Sequence, residues 1–111
     1  MPERAAAPID GFAADSLELK YRRVAEMFAA LASPVRAAIV HLLSVEGHTV
    51  SALVDALGIS QPLASQHLRT LRTAGLVDVE RIGRTSVYRL ADEHVAHIFL
   101  DALQHSHEEP R

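Results

Sequence analysis

Residues 60–90, "SQPLASQHLRTLRTAGLVDVERIGRTSVYRL", change hydrophobic period midway, and that change limits the folds open to the chain. Up to Gly75 the apolar residues recur at steps of three and four. After it, "LVDVERI" and "TSVYRL" alternate in steps of two, the spacing of strands. Ser60 is a cap residue with Pro62 in the turn behind it, and Gly75 is a helix stop. Gly83-Arg84 is a two-residue connection with Gly first, the chemistry of a tight hairpin. Just upstream, Thr49 opens a short helix, "VSALVDAL", which Gly58 ends. The order predicted is a helix–turn–helix followed at once by a β-hairpin, which is a wing.

The remainder supplies three more helices. Residues 1–15, rich in Pro, Gly and small side chains, read as a flexible arm. From Ser16, taken as an N-cap, Leu17, Tyr21, Val24, Phe28 and Leu31 recur at helical steps. "ASPVR" breaks that helix, with Ser33 as the next cap and Pro34 in the first turn. Ile39, Leu42 and Leu43 then mark a short second helix ending before Gly47. Asp92 caps a last helix reaching about His107, and 109–111 are a tail. The expected fold class is mainly α with a β-hairpin wing, a winged helix–turn–helix of order α-α-α-α-β-β-α over residues 16–108. With 49% apolar but only 5% aromatic residues, its core must be built from Leu, Val, Ile and Ala.

Several classes are set aside at this stage. The 111 residues hold no cysteine, so there is no disulfide and no thiolate metal site. No apolar run has bilayer-spanning length and the start lacks a signal-peptide pattern, so the expectation is a cytoplasmic protein without a membrane partner. There is no Gly-rich phosphate loop and no nucleophile constellation; an enzyme with a small organic substrate is not expected.

Charge is uneven along the chain. The net value is −3, yet residues 61–91 carry five arginines against two acids, and residues 92–111 carry five acids against one arginine. The basic segment is the one with nucleic-acid chemistry. On its helix, Leu63, Ala64, Leu68 and Leu71 form the expected buried side. Gln61, Ser65, Arg69 and Arg72 form a polar stripe, with Gln66 beside it and His67 near its edge, for packing or for DNA contact. Gln pairs with adenine, Arg with guanine or phosphate, and Ser with either. Ser60 and Gln61 sit at a helix N-terminus that can receive a phosphate. Arg81 and Arg84 flank the hairpin tip, within reach of a minor groove or backbone. Each half alone is an ordinary solvated surface; the order and the local charge together point to binding of double-stranded DNA.

"ALASPVRAAIVHLL", "ISQPLASQHLRTLRTAGLV" and "RIGRTSVYRL" resemble the ArsR/SmtB family of bacterial winged-helix repressors, over roughly residues 24 to 108. The most specific piece keeps Ser65, His67, Leu68, Leu71, Gly75 and Leu76 in place. The resemblance implies a homodimer with the first and last helices at its interface, bound to a near-palindromic operator and released by an inducer, usually a metal ion. It also implies that Ser65 and Gln66 face bases while the wing arginines grip the backbone.

The last helix carries four of the seven histidines: His94, His97, His105 and His107. At about 100° and about 1.5 Å per residue, His94 and His105 share a direction within about 20° but stand about 16 Å apart. They share a face and cannot share an ion. His105 and Glu108 are neighbours, and Asp92 reaches His94 if it is the N-cap. One chain thus offers two half-sites, Asp92/His94 and His105/Glu108. Pairing two such helices antiparallel about a two-fold axis completes two sites of two imidazoles and two carboxylates, a shell suited to tetrahedral Zn²⁺. The spacing D-x-H-x10-H-x2-E is also the inter-subunit motif of zinc-sensing ArsR/SmtB members. Their other common site, Cys-x-Cys in the third helix, is absent; "TVSALV" stands there, which excludes thiophilic sensing through it. His97, one turn from His94, is a substitute or added ligand. An octahedral Ni²⁺ or Co²⁺ would need such extra donors, from His97, from His107 or from the arm. His107 points elsewhere and reads as solvated, and Asp101 lies on the metal face between the half-sites. The mechanism these readings imply is that the apo dimer binds DNA and metal binding releases it; the alternatives are a nickel- or cobalt-sensing repressor of the same family, or a zinc-stapled structural dimer without DNA binding.

Overall fold

The computed structural model describes residues 14–107, with side chains from Ser16 onward. In order they form α1 (Ala14–Leu31), α2 (Pro34–Val45), α3 (Val50–Leu57), α4 (Gln61–Thr73), β1 (Val77–Ile82), β2 (Thr85–Leu90) and α5 (Glu93–Ser106). This is the winged helix–turn–helix read from the sequence. The expected arm lies outside the described residues except for 14 and 15, which already belong to α1. Ser16 is therefore not a cap: Ala14 is a strong helix former, and it carries the helix past Ser16.

Four helices start where a short polar side chain receives an otherwise unpaired backbone N–H. Ser33 accepts from Arg36 N at 3.2 Å, Thr49 from Ala52 N at 3.1 Å, Ser60 from Leu63 N at 3.3 Å and Asp92 from Val95 N at 3.2 Å. Proline follows the Ser33 and Ser60 caps inside the first turn, where its missing N–H costs nothing.

The core gathers one face of every element. Ile39, Val40 and Leu43 of α2 meet Leu53 of α3, Leu68 and Leu71 of α4, Val77 at the start of β1 and Val95 of α5, with no fully buried aromatic ring among the described residues. Leu63 is a correction: it is 38% exposed rather than core. It points about 100° from Ala64, on the side away from Leu68, so it falls off the apolar stripe. Among the described residues the α1 stripe is also left uncovered, since Leu17, Val24 and Phe28 are 39%, 42% and 57% exposed. No single helix among the described residues is long and apolar enough to cross a membrane.

The wing is an antiparallel pair in register from Val77↔Leu90 to Ile82↔Thr85. Gly83 takes φ +63 and no non-glycine residue has positive φ among the described residues, so the turn uses Gly first, as the sequence suggested. A second attachment was not legible. His48, between α2 and α3, exchanges both backbone hydrogen bonds with Tyr88 of β2, at 3.0 and 2.8 Å. Gly47 makes this close approach feasible. A Cβ there would stand 2.8 Å from Val87 Cγ1 and 2.9 Å from Arg89 Nη1. Gly47→Ala should cost about 1–3 kcal/mol through overpacking, read as a lower denaturant midpoint with unchanged m-value; an unshifted midpoint would show that β2 yields freely.

Candidate nucleic-acid interface and histidine helix

Burial of Ala64, Leu68 and Leu71 fixes how α4 is rotated. Gln61, Gln66, Arg69, Arg72 and Thr73 are left exposed, and Ser65 and His67 half-exposed on opposite flanks. On one flank, Ser65, Arg69, Arg72 and Thr73 of α4 and Tyr88 of β2 line a polar cleft of about 430 Å³ between helix and wing. Two guanidiniums with hydroxyl donors beside them are chemistry for a phosphodiester. Thr73 and Tyr88 were not singled out by the sequence, because only the docking of β2 beside α4 reveals them. Ser60 lends a lone pair to Leu63 N, leaving its hydroxyl hydrogen free to donate outward.

At the wing tip, Arg81 turns back and donates from Nε to Gly83 O at 3.2 Å, while Arg84 is exposed. The other flank of α4 faces α2. There His67 Nδ1 lies 3.2 Å from an Arg36 guanidinium nitrogen, and burial, then the Arg36 charge, holds the imidazole below its ordinary pKa of 6.5. That ring faces a neighbouring helix on its Nδ1 side.

On α5, Val95 is buried and Phe99 packs towards α2, its ring centroid 5.7 Å from that of His41. The stripe His94, Ile98, Asp101 and His105, at steps of four, three and four, runs beside that packed face. Ile98 is 51% exposed and lines an apolar groove with Val24, Met27 and Phe28 of α1. The histidine stripe therefore borders an uncovered apolar surface.

Asp92 does cap α5, and its carboxylate lies 3.6 Å from His94 Nδ1, the His94 side chain being 91% exposed. His97, His105 and His107 are also exposed, and Glu108 lies outside the described residues. No group of three or more metal-donor side chains comes together among the described residues. The donors present, an imidazole and a carboxylate at the helix start and an imidazole one helix-length away, fit a borderline divalent cation such as zinc in kind. In this single chain they remain separate halves.

Comparison with known proteins places the fold in a family. Residues 33–79 match the model for bacterial regulatory proteins of the arsR family. The HTH-type transcriptional repressor SmtB of Mycobacterium tuberculosis is 55% identical over 84 residues, 76% of this chain and 62% of that protein, so the match spans about three fifths of the relative's length. The HTH-type transcriptional regulator NmtR of the same organism is 40% identical over 103 residues, covering 93% of this chain and 80% of NmtR. The homodimeric winged helix–turn–helix DNA-binding domain of a Mycobacterium bovis protein superposes with a TM-score of 0.74 at 32% identity, covering 95% of this chain and 94% of that one. The chain belongs to the arsR family of bacterial regulatory proteins, which are regulators rather than enzymes.

Proposed function

We propose that the chain is a cytoplasmic transcriptional repressor that binds operator DNA as a homodimer and leaves it when zinc is held between the last helices of its two subunits. The observation that carries the metal part is the Asp92–His94 pair, set 3.6 Å apart by the cap of α5 on a stripe that ends at His105. The DNA part is supported by the outward face of α4 and its cleft with the wing, and by the likeness to the SmtB repressor. The dimer is supported by the uncovered face of α1 and α5, and by the homodimeric M. bovis relative.

In this reading, α4 of each subunit enters a major groove. Gln61, Ser65, Gln66 and Arg69 meet base edges, and Ser60, Arg72, Arg81 and Arg84 hold phosphates. His67 keeps α4 in place from its α2 flank. Asp92 and His94 of one subunit face His105 and Glu108 of the other. A zinc ion held by these four side chains would join the two helices and so disfavour the spacing of the α4 pair that fits DNA. Binding is reciprocal, so DNA weakens zinc affinity by the same factor. His97, exposed one turn after His94, favours a second reading in which Ni²⁺ or Co²⁺ takes extra donors. The Co²⁺ complex decides between them: intense visible bands indicate four-coordination, weak ones six.

Gel shifts on the chain's own upstream DNA, with and without zinc, test the whole reading. His94→Ala and His105→Ala should leave apo binding nearly intact and abolish release; if these variants still dissociate at the same zinc concentration, the ligand assignment is wrong. Arg72→Ala should weaken binding to operator and unrelated duplex alike and make the salt slope shallower by about 1 for each Arg72–phosphate pairing removed. An unchanged slope would remove Arg72 from the phosphate-binding residues.

A further inference from the structure

Arg36, in the first turn of α2, touches both the end of α1 and the middle of α4. It donates from Nε to Ala30 O at 2.6 Å, and its Nη1 stands 3.2 Å from His67 Nδ1. A guanidinium has only donors and keeps its proton throughout the pH range of folded proteins. The hydrogen bond therefore requires a lone pair on Nδ1, which places the ring proton on Nε2 and makes His67 neutral. Protonation would consume that lone pair and set two cations at the same distance.

We infer that Arg36 is a positioning residue for DNA reading, holding α4 to the end of α1 through a neutral His67, and that protonation of His67 opens this tie and weakens operator binding. The inference rests on α4 being the DNA-reading helix. Of the elements packed around His67, α2 contributes the Arg36 cation. From α1 comes Glu26, which lines with Arg36 and with Arg69 of α4 a groove of about 450 Å³. The only charged residue of α3, Asp55, is exposed. The direction of the pH effect follows from His67 binding its proton more weakly in the fold than the ordinary value of 6.5. The unfolded chain takes up the proton first on acidification. The tie's contribution to stability is thus fully present above 6.5, and the tie itself opens as pH falls through the lower value that His67 has in the fold.

The test uses the full chain without metal and a duplex from its own upstream region. Affinity is measured by fluorescence anisotropy at about pH 7.5 and about pH 5.5, at one ionic strength, across the range where histidine titrates. Wild type should lose affinity several-fold at the lower pH. In His67→Asn the amide oxygen accepts from Arg36 but does not titrate, so the ratio of the two affinities should stay flat. Arg36→Met should lower affinity at the higher pH and flatten the ratio. An acid loss in His67→Asn equal to that of wild type overturns the inference. If wild type binds no upstream DNA at the higher pH, the repressor reading fails instead. The tie is then decided on the DNA-free wild-type chain by imidazole ¹⁵N shifts. A bare Nδ1 at neutral pH, with α4 amides moving as His67 titrates, supports it. A proton on Nδ1, or α4 amides that do not respond, overturns it.

Discussion

The burial of Leu68 and Leu71 against Ile39, Val40 and Leu53 governs every other property of the molecule. These aliphatic side chains have no polar atoms to satisfy, so their packing is limited only by shape and by the area removed from water. Once they are seated, α4 has no rotational freedom left, and the residues between them must face outward. The outward surface was thus determined by the inward one. The cost of a polar stripe on α4 is carried by a core assembled from the other elements.

Much of this was legible because its signals are local. Ser33, Thr49, Ser60 and Asp92 precede the helices they cap, and a cap depends on residues within one turn. Gly83 announces its turn for the same reason. The change of period at Gly75 separates α4 from β1 almost to the residue. Legibility fell where chain segments distant in sequence meet. Arg36 and His67 are 31 residues apart, and nothing in their local spacing links them. The His48–Tyr88 bridge uses backbone atoms, which carry no sequence signature at all. Leu63 misled because an apolar residue in the first turn of a helix matches the stripe in type while missing it in direction.

The α5 histidines illustrate a different limit. Helical geometry alone separated His94 from His105, and the cap at Asp92 set its carboxylate beside His94. Helical geometry does not say what lies beside those side chains. The structure adds that Val24, Phe28 and Ile98 are partly exposed, and a contiguous apolar patch beside a row of exposed imidazoles is costly unless another surface covers it.

The backbone bridge between His48 and Tyr88 has a consequence for how such a molecule could be tuned. With Gly47 pressed on Val87 and Arg89, the wing is fastened to the linker before α3 as well as to the end of α4. Helix and hairpin then behave as the two jaws of a caliper with a locked screw. Fastened at both ends, the gap between the two jaws is set by the core and the linker together, so a change at Gly47 or His48 would be felt at the opposite side of the cleft.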